Sequence, residues 1–142
     1  MKEWRLAIIL GFEFDIMLSA TRLAYSGILE RFPELNFVIA HLGAGIPFLV
    51  GRIDRGYHDP MCGVKTKKPT SEYLKDLHTD AVCFYKPTLM MAYDFFGAER
   101  IVMGSDFRFR SETWKLPFLV SSRWISLERQ KKRFWEKMSN GY

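Results

Sequence analysis

The sequence predicts an α/β protein built from parallel β/α units. Three observations carry that expectation. The apolar run Phe37-Val38-Ile39-Ala40 is rich in β-formers and too short for an ordinary helix, and it reads as a strand buried on both faces. It passes through His41 and a Gly-bearing turn, Leu42-Gly43-Ala44-Gly45, into an amphipathic helix. Beyond it, helix and strand signals keep alternating, the order expected of a parallel sheet covered by helices.

The opening is ambiguous, because Leu6–Leu10 could form a strand running up to Gly11-Phe12. Asp15 has N-cap chemistry for a helix over 16–32, with Ile16, Ala20, Leu23, Ala24, Gly27 and Ile28 on one face. Pro33 ends that helix, and Glu34-Leu35-Asn36 links it to the strand over 37–40. The next helix has Pro47 in its first turn, where a missing N–H costs nothing, and an apolar stripe of Ile46, Leu49, Val50, Ile53 and Tyr57. A polar loop with Pro and Gly follows from His58 to Pro69. Thr70 or Ser71 can cap a short helix over 72–77, and a strand is expected over 79–84. Pro87 opens a helix with Leu89, Ala92, Tyr93 and Phe96 inward and Gly97 as its stop. A last strand over 100–103 leads to Gly104-Ser105-Asp106, and a basic helix is expected over 127–138. These units supply three or four strands, whereas a closed eight-stranded β/α barrel takes about 200 residues or more. The 142 residues therefore make either a small open sheet or part of a barrel, in one domain.

Composition narrows the functional classes. The chain is 48% hydrophobic and 15% aromatic, which suits a folded core. No apolar run approaches the roughly 20 residues that span a bilayer. The short apolar run near the N-terminus is followed by acidic residues rather than a cleavage site, so it does not read as a signal peptide. Cys62 and Cys83 form neither a CxxC pair nor a disulfide framework, so a reduced, cytoplasmic setting is expected. The net charge of +5 is concentrated at one end: residues 107–142 hold nine Lys/Arg and three Asp/Glu, and the remainder is nearly balanced. The basic tail reads as a solvated face ahead of a nucleic-acid contact.

Three side chains stand out chemically. His41 is an imidazole where a parallel strand gives way to a helix, the end of such strands that usually carries chemistry. A buried, hydrogen-bonded structural histidine is the alternative. Asp106 stands at the end of the last strand, where it is either a metal-ligating carboxylate or an ordinary loop aspartate. Arg52, on the helix after His41, can either capture a carboxylate with its planar fork or join a solvated ion-paired face. His58 and His78 belong to the opposite end of the sheet and are not expected as ligands.

Four stretches together resemble one family: Leu10–Tyr57, with SGILERFPELN, a strand ending in HLG, and GRIDR; Lys68–Leu74; Thr79-Asp80; and FFGAERIVMGSDF over 95–107. The pattern is similar to the C-terminal half of the amidohydrolase-related superfamily, in the branch of aminocarboxymuconate-semialdehyde and γ-resorcylate decarboxylases. The resemblance implies a partial (β/α)8 TIM barrel with a divergent basic tail over 108–142. It implies nonoxidative decarboxylation or hydrolysis of a small carboxylate substrate, dependent on Zn²⁺ or another divalent metal. It further implies His41 as the catalytic acid/base, Asp106 as a metal ligand and Arg52 as a substrate-carboxylate anchor that crosses to a partner subunit. The family's His-x-His and fifth-strand His have no counterpart in this chain, and HLGG and GSDxP are altered to HLGA and GSDFR. Activity is therefore expected to need a homo-oligomer or a complementing N-terminal half, the chain alone being otherwise an inactive fragment. A binding module that uses the basic tail is a third reading.

Overall fold

The computed structural model describes residues 4–104. Asp106 and the helix expected over 127–138 lie outside the described residues.

The sheet has three parallel strands, β1 (Val38–Ile39), β2 (His78–Asp80) and β3 (Ile101–Val102), in the order β1-β2-β3. Its helices are α1 (Phe12–Tyr25), α2 (Ile28–Arg31), α3 (Ile46–Tyr57), α4 (Thr70–Lys75) and α5 (Lys86–Phe96). Chain neighbours are sheet neighbours, and α3 and α5 lie in the two connections, as successive β/α units require. The register aligns Ile39, Thr79 and Ile101 in one row, all three buried. The one polar member, Thr79, donates its hydroxyl to the Ile39 carbonyl at 2.9 Å, which removes the cost of burying it.

The opposite face of the sheet is uncovered. Val38 is 62% exposed and Val102 39%. The strand expected to be buried on both faces is thus buried on one, because among the described residues nothing packs on the other. The core lies entirely on the helix side. One apolar cluster joins Ala20, Ala24, Ile39, Ile46, Ile53 and Leu74, and a second joins Leu42, Cys83, Leu89, Ala92, Phe96 and Ile101.

The strong periodic signals map closely. The helix with Pro in its first turn is α3, and Leu89, Ala92 and Phe96 are the buried face of α5. Gly97 follows α5 at φ 79°, a backbone region that glycine enters without penalty. Weaker signals shifted. Leu6–Leu10 is not a strand: residues 7–11 form a π-helical turn that runs on into α1 because Gly11 keeps helical angles. Asp15 is therefore not an N-cap but lies in the first turn of α1. The helix expected to reach Phe32 breaks at Gly27, where φ is 76°. Neither Thr70 nor Ser71 caps α4; Pro69 holds that position, and Asp54 accepts the Ser71 N–H at 2.8 Å instead. Gly56 lets α3 close on α1, since a Cβ there would run into the Tyr25 hydroxyl, which donates to the Ile53 carbonyl at 2.6 Å.

Candidate functional site

His41 follows β1 after one extended residue, Ala40, at the C-terminal end of the sheet. The turn that carries it is unusual. His41, Leu42 and Ala44 all have positive φ, at 54°, 54° and 53°, and Gly43 sits between them at 71°. Each non-glycine residue there costs about 1–2 kcal/mol, so the surrounding structure must hold the turn in place. Leu42 supplies part of that hold, being buried in the second cluster. Gly43 is required twice, by its φ and because a Cβ would stand 2.8 Å from Phe96 Cζ.

Asp80, the last residue of β2, reaches across to this turn. Its Oδ1 accepts the His41 N–H at 2.8 Å and the Val82 N–H at 3.0 Å. Gly104, after β3, leaves no space beside it: a Cβ there would lie 2.8 Å from Asp80 Cβ. All three strand ends thus converge on one carboxylate.

The imidazole itself faces α1. Its Nδ1 is 3.5 Å from Glu13 Oε1, with the side chains 28% and 36% exposed, so the pair is open to a small molecule. Burial raises the Glu13 carboxyl above its ordinary value; His41 pulls the other way, and Asp80 adds a smaller upward push. The arrangement offers an imidazole with a carboxyl group beside it, the parts that a proton transfer needs.

Arg52 is exposed on α3, six residues past Ile46 and so about 9 Å along the helix axis. It is not brought against His41. Asp106 lies outside the described residues. His78 opens β2, paired with Val38, at the end of the sheet away from His41. Glu13 and Asp80 were not singled out by sequence reasoning. Asp80 had a signal, a carboxylate closing a strand beside a buried Thr; Glu13 had none, because only folding brings it to a partner 28 positions away.

The described residues do not by themselves suit a divalent metal. Among them no group of three His, Cys, Asp or Glu side chains could hold an ion. Asp80 Oδ1 is already occupied by two N–H donors. A cavity of about 520 Å³ lies at the other end of the strands, between Asn36, Leu77 and Arg100, where Glu30 is tied to Lys67 and Tyr73. A smaller apolar groove of about 320 Å³ runs between α1 and the free edge of β1, lined by Ile16, Ala20, Leu23, Val38 and Ile39.

The amidohydrolase family pattern matches residues 4–136. The chain belongs to that family. Its relatives include the 2-amino-3-carboxymuconate-6-semialdehyde decarboxylase of Dictyostelium discoideum, 24% identical over 77% of this chain and 31% of that protein. The γ-resorcylate decarboxylase of Rhizobium sp. is 27% identical over 76% and 34%. Among solved structures, the apo IDCase of Metarhizium anisopliae superposes with a TM-score of 0.72 at 26% identity, over 82% of this chain and 35% of that one. A dihydroxybenzoic acid decarboxylase from Polaromonas sp. JS666, solved with manganese and 2-nitroresorcinol, gives 0.57 at 23% identity, over 82% and 41%. This amidohydrolase-family chain therefore spans about a third of the length of the curated relatives it matches. Its fold is a partial β/α barrel, and the uncovered sheet face is the one a closed barrel turns inward. Among the described residues no helix is long and apolar enough to cross a membrane.

Proposed function

We propose that this chain supplies the proton-transfer group of a decarboxylase-type site acting on a small aromatic or dienoic carboxylate. The observation that carries this reading is the placement of His41 on the C-terminal rim of the sheet, its imidazole partly open and facing Glu13. Decarboxylation leaves a carbanion-like carbon that must take up a proton. A positioned imidazole performs such a transfer and contributes on the order of 10²–10⁴ in rate. Arg52, exposed and away from His41, would anchor a substrate carboxylate in a partner subunit's site, for which its guanidinium fork is suited. Hydrolysis of a related carboxylate is the runner-up, with His41 then moving the proton of water. Both Cys62 and Cys83 are free, which agrees with a reducing, cytoplasmic setting.

The same reading requires more β/α units than the described residues hold, on the same polypeptide or on another. β1 has one free edge among the described residues, an apolar groove lies beside it, and the inner face exposes Val38 and Val102. A second copy of this sequence would add only His41, His58 and His78, with no His-x-His pair. A complementing segment of different sequence is therefore favoured over a homo-oligomer. It would bring the remaining ligands for a divalent metal, manganese or zinc, to which this chain adds Asp106.

The test is release of CO₂ from 2,6-dihydroxybenzoate with Mn²⁺ present and the remaining strands supplied by co-expression. Turnover that falls about 10²-fold or more in His41→Asn supports the role of His41. Turnover unchanged in that variant rules it out.

A further inference from the structure

We propose that Asp80 is the positioning residue for His41, holding the main chain of the strained turn so that the imidazole stays on the rim. The inference rests on the reading of His41 as the proton-transfer group and extends it to a residue that touches no substrate. Its basis is geometric. His41 has φ 54° and is followed by three more residues at positive φ, a run that the chain does not adopt unaided. The first anchor of that run is the His41 N–H, and its acceptor is Asp80 Oδ1 at 2.8 Å. The same oxygen takes the Val82 N–H at 3.0 Å, so the carboxylate is fixed to its own strand while it grips the next one. Glycine at 104 leaves the carboxylate its place, since a Cβ there would lie 2.8 Å from Asp80 Cβ and 3.1 Å from Asp80 Cγ. Glu13 contacts the other end of the residue, the ring nitrogen, and so cannot replace this hold on the backbone.

Asparagine at 80 keeps an oxygen at the same place, whereas leucine keeps the bulk and removes the acceptor. Amide hydrogen exchange and the NMR signals of the His41 ring read the difference without any turnover. In Asp80→Leu, exchange at the His41 and Val82 amides rises by roughly tenfold, as expected when hydrogen bonds to a charged acceptor are lost. The His41 ring signals shift or split, while those of His58 and the Ile53 amide stay in place. In Asp80→Asn both amides remain protected and move upfield, because the acceptor has lost its charge, and the ring signals hold. Should Asp80→Leu fail to fold, the upfield movement of those two amides in Asp80→Asn decides alone. The proposal is overturned by a folded Asp80→Leu protein with His41 unmoved, or by Asp80→Asn leaving both amides where they were. Because neither readout needs activity, an inert His41 would show up separately, as unchanged turnover in His41→Asn with the amides behaving as described.

Discussion

Glu13 Oε1 stands 3.5 Å from His41 Nδ1, so a carboxylate from the first turn of α1 faces the imidazole at the end of β1. Twenty-seven residues of helix, turn and strand lie between the two in sequence, and the pair forms only when α1 lies over the C-terminal end of the sheet.

That contact has a pH signature. Burial raises the folded-state value of Glu13 above its ordinary 4.5, so the folded protein holds the proton more tightly than the unfolded chain. The resulting stabilisation is complete below about 4.5 and is lost as pH rises through the raised value. Glu13→Gln should remove this downward slope in urea-unfolding free energy and leave the protein no less stable than wild type at neutral pH.

Glu30 shows the opposite sign. Its carboxylate accepts the Lys67 N–H at 2.9 Å and the Tyr73 hydroxyl at 2.7 Å, and these bonds hold its carboxyl below the ordinary value. Its stabilisation is present above that ordinary value and is lost as pH falls through the lowered one. Acid unfolding followed by circular dichroism should therefore be flatter below pH 4.5 in Glu30→Gln than in the wild type.

Gly43→Ala combines a positive φ with a clash against Phe96. A cost of at least about 1–2 kcal/mol follows from the backbone alone, and more where the ring cannot yield. Chemical denaturation measures it. The His41 ring signals should move in the same variant, since the glycine belongs to the turn that carries them.

Arg52→Ala separates binding from folding. Arg52 is exposed, so stability should change by no more than about 0.5 kcal/mol. In the complemented enzyme KM for a dicarboxylate should rise roughly tenfold or more, the loss of a charge-assisted hydrogen bond.

The long amphipathic segments were legible because their burial is dictated locally. Pro47 and the Ile46-to-Tyr57 stripe specify α3 before any partner is known, and Leu89, Ala92 and Phe96 do the same for α5. The strands were placed correctly but drawn too long, since pairing ends where the neighbouring strand ends: the run over 79–84 pairs only through Asp80. The break at Gly27 and the helical form of residues 7–11 depend on backbone angles that a hydrophobic pattern does not encode. The strand-to-helix junction that carries His41 was legible because such junctions have a sequence signature. The partners of His41 were not, because Glu13 and Asp80 reach it only through tertiary contact.

The central proposal is that His41, on the C-terminal rim of the sheet, and Asp106 serve one metal-dependent site. Paramagnetic broadening by Mn²⁺ tests it on the chain complemented with the remaining strands, since the described residues do not by themselves hold a metal. Added Mn²⁺ should broaden the His41 ring signals before those of His58 and His78, and Asp106→Ala should abolish the selectivity. Broadening that spares His41, or persists unchanged without Asp106, would contradict it.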